Sequence, residues 1–133
     1  MTAGTLDLTG DLGIEKGATY RIQLRLRNPP VAPATVGTLM DLSLRTARMQ
    51  VRATVDDPVV LLELTTEDGG LTLGGAAGTV DLLVEADASA AFTWTKGKYD
   101  LEVVDESRTP PEVVRVIKGR ITADPEVTRE TAP

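Results

Sequence analysis

Apolar and polar residues alternate along most of this chain, with a period of two. Tyr20, Ile22, Leu24 and Leu26 alternate with Arg21, Gln23, Arg25 and Arg27. Such alternation marks a strand with one buried face and one wet face. Arg27-Asn28-Pro29-Pro30 ends it, because proline donates no ladder hydrogen bond and asparagine favours turns. Pro29 to Gly37 reads as a surface loop. Ala47, Met49, Val51 and Ala53 then alternate with Arg48, Gln50 and Arg52, which predicts a second strand with a basic outer face. Asp56-Asp57-Pro58 turns the chain. Val60, Leu62 and Leu64 alternate with Val59, Leu61 and Glu63 in a third strand, apolar on much of both faces. A strand of that kind is central or touches a partner.

The second half continues the pattern. Glu67-Asp68-Gly69-Gly70 reads as a hairpin turn, and Leu71 and Leu73 follow it. Thr79 to Glu85 places Val80, Leu82 and Val84 on one face, with Asp81 and Glu85 on the other. Asp87 is expected to cap one helical turn over Ala88–Phe92. Lys96-Gly97-Lys98 is expected to turn the chain into a strand carrying Tyr99, Leu101 and Val103 inward. After a polar loop from Ser107 to Pro111, Glu112 to Ala123 is long and rich in β-branched residues. Its alternation breaks near Lys118-Gly119, where a bulge is expected. About seven strands at intervals of roughly 8–15 residues predict an all-β fold, an antiparallel immunoglobulin-like β-sandwich with one short helical turn. The expected organisation is one domain over 1–133, with a core from about 8 to 123 and a polar tail over 124–133 that frays or docks on a neighbour. Tyr20, Ile22, Leu24, Leu26, Met49, Val51, Leu62, Val80, Leu82, Leu101 and Val103 are expected to line one core.

Composition narrows the chemistry. The 133 residues suit one domain of ordinary size. There is no cysteine and no histidine, which removes disulfides, thiolate nucleophiles, zinc–thiolate sites and imidazole acid–base chemistry. Neither an enzyme, nor a cofactor, nor a metal site, nor a small-molecule substrate is therefore expected. No apolar run reaches about 18 residues, so no transmembrane helix and no membrane partner are expected. Met1 to Gly10 lacks the basic start and apolar stretch of a signal peptide. The net charge of −6 is unevenly spread: residues 1–55 sum to +3, residues 56–106 to −10 and residues 107–133 to +1. Oppositely charged strands can pair their charges across the surface, or two subunits can meet through them. An acidic chain with four aromatic residues is not expected to bind nucleic acid.

The remaining motifs resolve toward plain structure. Gly74-Gly75-Ala76-Ala77-Gly78 lacks the Gly-Lys-Ser/Thr of a phosphate loop and leads into a strand, so it reads as a connection. Asp56-Asp57 and Glu67-Asp68 lack the ligand spacing of a calcium loop and sit where turns use aspartate, which leaves at most a weak structural cation. Ser43, Ser89 and Ser107 lie in no nucleophile elbow. Phe92, Tyr20 and Tyr99 read as core, while Trp94, flanked by Thr93 and Thr95, is either core or an exposed interface anchor. The most pointed surface feature is the arginine stripe of Arg21, Arg25 and Arg27 with Arg48 and Arg52. It is either a solvated face that resists edge pairing or a docking surface for carboxylates. The candidate interface set is Arg21, Arg25, Arg48, Arg52, Val59, Leu61 and Trp94, with Val104 and Val113 as further outward apolar positions.

Four segments carry a resemblance. They are Leu12-Gly13-Ile14-Glu15-Lys16-Gly17-Ala18-Thr19-Tyr20 before the first strand; Met40-Asp41-Leu42-Ser43 with Thr46-Ala47-Arg48-Met49-Gln50-Val51-Arg52; Gly97-Lys98-Tyr99-Asp100-Leu101-Glu102; and Pro125-Glu126-Val127-Thr128-Arg129. In that order they resemble small virion proteins of tailed bacteriophages and prophages, which share "DLxIxQGxxF", "DLTGYTARMQVR", a "G-x-Y-x-W/L-x-L" strand and a "PEVTR" ending. More distantly the pattern is similar to the immunoglobulin-like N-terminal domain of baseplate upper proteins. The resemblance spans about residues 8–130, and Thr46–Arg52 and Pro125–Arg129 are its specific parts. Leu44-Arg45 stands where those proteins often carry Gly-Tyr, and the proline loop is longer. The resemblance implies a structural component of the tail, baseplate or neck, assembled in the host cytoplasm in many symmetric copies that contact other virion proteins. A capsid decoration protein is the alternative within that class, and a carbohydrate-binding module for the host surface is the alternative outside it.

Overall fold

A computed structural model of the chain describes residues 4–128. The strands are β1 (Ile14–Glu15), β2 (Tyr20–Arg25), β3 (Thr46–Arg52), β4 (Leu62–Thr65), β5 (Leu71–Leu73), β6 (Thr79–Val84), β7 (Lys96–Asp105) and β8 (Glu112–Asp124), with one short helix, α1 (Ala86–Ala90). They form two sheets. One is five-stranded, in the order β1-β8-β7-β3-β4; the other is three-stranded, in the order β2-β6-β5. The fold is all-β, as the alternation predicts. It is not purely antiparallel, because β1 runs parallel to β8, with Ile14 opposite Ala123. The segment before β1 already lies along β8 through parallel bridges Thr5–Lys118 and Leu8–Ile121.

One cluster of buried side chains takes residues from both sheets, including Tyr20, Leu24, Val80 and Leu82 from the smaller and Met49, Val51, Leu101 and Ile121 from the larger. Of the expected core residues, Ile22 and Leu62 are only half-buried, and the other nine are buried. The N-terminal segment adds Leu8 and Ile14, both fully enclosed. Tyr20 and Tyr99 clamp that segment from the core side: their hydroxyls donate to the carbonyls of Leu12 (2.7 Å) and Leu6 (2.6 Å). Burial holds the Tyr20 phenol up at about 12, and raises that of Tyr99 as well.

Several expectations shift. The third strand begins later than its alternation suggests, since Val59 and Val60 remain in the loop after β3. β4 is an edge strand rather than a central one, pairing with β3 alone. Lys96-Gly97-Lys98 does not turn; it opens β7. Glycine suits that place because a Cβ on Gly97 would stand 2.8 Å from the Arg52 carbonyl oxygen on the neighbouring strand. The bulge falls at Val116: Leu101 faces Ile117 while Glu102 faces Arg115, leaving Val116 as the extra residue. That insertion lets Arg115 and Lys118, three apart, share the outer face. The helical turn starts at Ala86, with Glu85 rather than Asp87 at its N-cap position. Ser89 inside it is buried, accepts from the Gly17 amide (3.0 Å) and so ties α1 to the turn before β2. Asp124 is the last residue of β8, so the polar tail begins one residue later than expected, and residues 129–133 lie outside the described ones.

Candidate functional site

Alternation puts Arg21 and Arg25 on the outer face of β2, and Arg48 and Arg52 on the outer face of β3. These strands belong to different sheets. Because both sheets bury their other faces in one cluster, the two arginine pairs point away from each other. A single arginine face therefore does not form. Trp94 is not an exposed anchor: it is buried and stacks on Phe92 with ring centroids 5.0 Å apart. Leu61 is half-buried against the core, while Val59 is 59% exposed in the loop before β4. Val104 is buried and Val113, opposite it, is exposed; both sit at the far end of the sheet from Val59, so these positions make no common patch.

The structure instead assembles a concave surface on the outside of the five-stranded sheet, enclosing about 840 Å³. Its floor is built in rows that run across the strands. In the first, Thr65, Arg48, Glu102 and Arg115 stand side by side on β4, β3, β7 and β8. Arg48 Nε donates to Glu102 at 2.8 Å. In the second row Glu63, Gln50, Asp100 and Lys118 follow one another. Gln50 donates to Glu63 at 2.6 Å, and Asp100 pairs diagonally with Arg115 at 3.2 Å. Both rows alternate acid, base and neutral polar groups, the arrangement that cross-strand neighbours favour.

The third row departs from this. Arg52 faces Lys98, and Lys98 faces Arg120. Arg120 is answered from the side by Asp7 of the N-terminal segment, whose carboxylate accepts from the Arg120 guanidinium (2.8 Å) and from the Arg120 amide (3.0 Å). The side-chain hydrogen bond from Arg120 holds the Asp7 carboxyl below its ordinary value, aided by the amide bond and by the nearby charge of Lys98. Arg52 has no carboxylate partner within 4.0 Å among the described residues; Nη1 donates to the Asp57 carbonyl and Nη2 to Gln50 Oε1, both at 2.9 Å. Lys98 likewise has none.

No protein-family model and no curated protein sequence matches this chain. Arg48 and Arg52 of the expected interface set belong to the concave surface; Arg21, Arg25, Val59, Leu61 and Trp94 are not among the residues that line it. Lys98, Arg115, Lys118, Arg120 and Asp7 line it and are missing from the sequence-based set. Lys98 and Arg120 sit in alternating strands, but only the β7–β8 register sets them side by side. The acidic pairs read as turn residues do serve turns: Asp57 accepts from the Val59 amide (2.9 Å), and Asp68 from the amides of Thr65 (3.1 Å) and Gly70 (2.8 Å). Gly74–Gly78 forms a tight 3-10 connection into β6.

Leu44 is a further unusual position. It is 92% exposed and its φ is +59°, the left-handed region that glycine favours. A flanking turn fixes it, with Asp41 accepting from the Ser43 amide at 2.9 Å and Arg45 paired with Asp105 at 3.5 Å.

Proposed function

We propose that this chain is a non-enzymatic structural protein of a tailed-bacteriophage virion, an immunoglobulin-like β-sandwich module of the tail, baseplate or neck. It works in many copies through contacts with other virion proteins, and it is assembled in the host cytoplasm. The observation that carries the reading is the concave outer face of the five-stranded sheet, a broad floor of charged side chains; such a floor suits contact with a protein surface of complementary charge. The two sheets around one core supply a rigid body behind it. The backbone at Leu44 lends support as well. The resembled proteins often carry glycine at this position, and glycine adopts the φ of +59° found here without strain.

The test is particle incorporation. A tagged copy is expressed in a phage-producing culture that carries the gene, particles are purified, and the tag is located by immunogold electron microscopy. Label at the tail, baseplate or neck is expected. Label over the capsid shell moves the protein to a decoration role. Particles free of label, together with saturable binding to a glycan array, would replace the reading with a carbohydrate-binding one.

A further inference from the structure

The geometry points to a carboxylate-binding site centred on Arg52 and Lys98 in the concave face, whose occupant is an extended acidic segment of a partner protein. The inference rests on the assembly reading above for the source of that segment. Its basis is the contrast among the three rows of one floor. Two rows set acids among their bases and form the ion pairs Arg48–Glu102 and Arg115–Asp100; Lys118, which makes no ion pair of its own among the described residues, at least stands opposite Asp100. The third sets Arg52, Lys98 and Arg120 side by side, although like charges directly opposite each other are unfavourable. A sheet that balances its neighbouring rows and leaves one cationic keeps a local cost that a bound anion would remove.

The cations are also prepared for a ligand. Arg52 is held by two neutral acceptors, the Asp57 carbonyl and Gln50 Oε1, which fix the guanidinium without cancelling its charge. Asp7 shows the kind of group this row accepts, since its carboxylate takes both the side chain and the amide of Arg120. Only one end of the row is filled in this way. Val55, 79% exposed, borders the open end and offers an apolar contact beside the charges. Carboxylates on alternate residues of an extended chain stand about 7 Å apart, within reach of long cationic side chains on adjacent strands about 5 Å apart. A continuous polyanion suits the floor less well. Asp100, Glu102 and Glu63 occupy the rows beside the cations and would repel phosphates along its length.

The experiment titrates the full chain with a peptide of alternating glutamate and alanine, Glu-Ala-Glu-Ala-Glu-Ala, at low salt, followed by amide and side-chain NMR. Expected are shifts concentrated at Arg52, Lys98 and Arg120, and an affinity that falls with added salt. Arg52→Gln with Lys98→Gln should weaken binding by at least about tenfold, and Arg21→Gln with Arg25→Gln, on the other sheet, should leave it unchanged. Circular dichroism of both double variants verifies that they fold. Shifts that ignore the Arg52/Lys98 variant overturn the site. Tighter binding of an oligothymidylate at the same residues overturns the carboxylate assignment in favour of nucleic acid. Salt-sensitive self-association that closes the row without peptide replaces the partner by a second copy of the chain. Failure of the peptide with normal particle incorporation removes this site and leaves the assembly reading standing; peptide binding here by a chain absent from particles does the reverse.

Discussion

The strands β2 and β3 carry the same outward triplet, Arg-x-Gln-x-Arg, at Arg21-Gln23-Arg25 and Arg48-Gln50-Arg52. In both, the glutamine finds an acid across the sheet: Gln23 donates to Asp81 at 2.8 Å and Gln50 to Glu63 at 2.6 Å. The arginines part company. β2 is an edge strand, so Arg21 and Arg25 have one neighbour each, Leu83 and Thr79. β3 is an inner strand with β7 on one side and β4 on the other, so Arg48 meets Glu102 and Arg52 meets Lys98. On the edge, the arginines stay solvated and discourage a further strand from adding. Inside the sheet, the same residues become part of a patterned floor. An outward triplet thus acquires its role from residues some fifty positions away, through sheet order and register.

The comparison breaks most completely if either sheet loses its buried face. Leu24, on the inner face of β2, becomes a buried, unpaired carboxylate in Leu24→Asp. The expected loss is about 4 kcal/mol or more, a large part of the about 5–15 kcal/mol that holds a domain together. Urea denaturation measures it, and a variant within about 1 kcal/mol of wild type would place Leu24 outside the core. Gly119→Val perturbs the other sheet by a different route. A Cβ at Gly119 would lie 2.1 Å from the Leu6 carbonyl oxygen, so the N-terminal segment must move away from β8. A loss of about 2–3 kcal/mol is expected. Amide exchange should accelerate at Leu6 and Leu8, whose N–H groups donate to Lys118 and Arg120 carbonyls at 2.9 and 2.8 Å. Global destabilisation without selective exchange there would mean that the segment does not depend on this close approach.

Much of the fold was legible in the sequence. Tyr20–Leu26, Ala47–Val51 and Tyr99–Val103 alternate cleanly, and their inward residues are buried apart from Ile22. Alternation specifies a face because a slip by one residue would expose the whole apolar set. It does not specify which strands become neighbours. Arg21 and Arg48 therefore looked like parts of one stripe, and the row through Lys98 and Arg120 was invisible. Val59–Leu64 misled for a related reason. Residues apolar on both faces suit a central strand, but here Val59 and Val60 belong to a loop and the strand is an edge. The N-terminal strand was missed because β1 has only two residues. Leu6, Leu8, Leu12 and Ile14 do recur at even positions, and that was the available signal.

Smaller effects sharpen the contrast between the two triplets. Arg48→Ala removes an exposed ion pair on an inner strand and should cost about 0.5–1 kcal/mol, whereas Arg21→Ala should lie within about 0.5 kcal/mol of wild type. Thermal melts of both, with Glu102→Ala and the double variant to complete the cycle, measure the coupling. A coupling of zero would make Arg48 as free as Arg21. Leu44→Gly probes the strained turn that leads into β3. It should stabilise by about 0.5–1 kcal/mol, since leaving the left-handed region to glycine relieves about 1–2 kcal/mol and returns part of that as chain entropy. Destabilisation would show that the exposed leucine makes contacts worth more than its strain.

The subtlest test concerns the filled end of the third row. Asp7 is half-buried, and the Arg120 guanidinium and amide hold its carboxyl below the ordinary carboxylate value. A depressed carboxyl contributes stability that is present above the unfolded value and is lost as pH falls through the folded one. The interaction between the N-terminal segment and β8 should therefore be constant from neutral pH down to about 4 and weaken only below it. NMR titration of the Asp7 carboxyl carbon reads this directly, and Arg120→Gln should return its midpoint toward 3.8. Arg52→Gln serves as the control, because Arg52 is not among the groups that shift Asp7. If Arg52→Gln moved Asp7 as far as Arg120→Gln does, the row would behave as one shared cationic field. The distinction between its filled end at Arg120 and its open end at Arg52 would then fail. If only Arg120→Gln moves it, Asp7 answers the Arg120 end of the row alone, and the charge of Arg52 remains without a carboxylate partner beside Lys98.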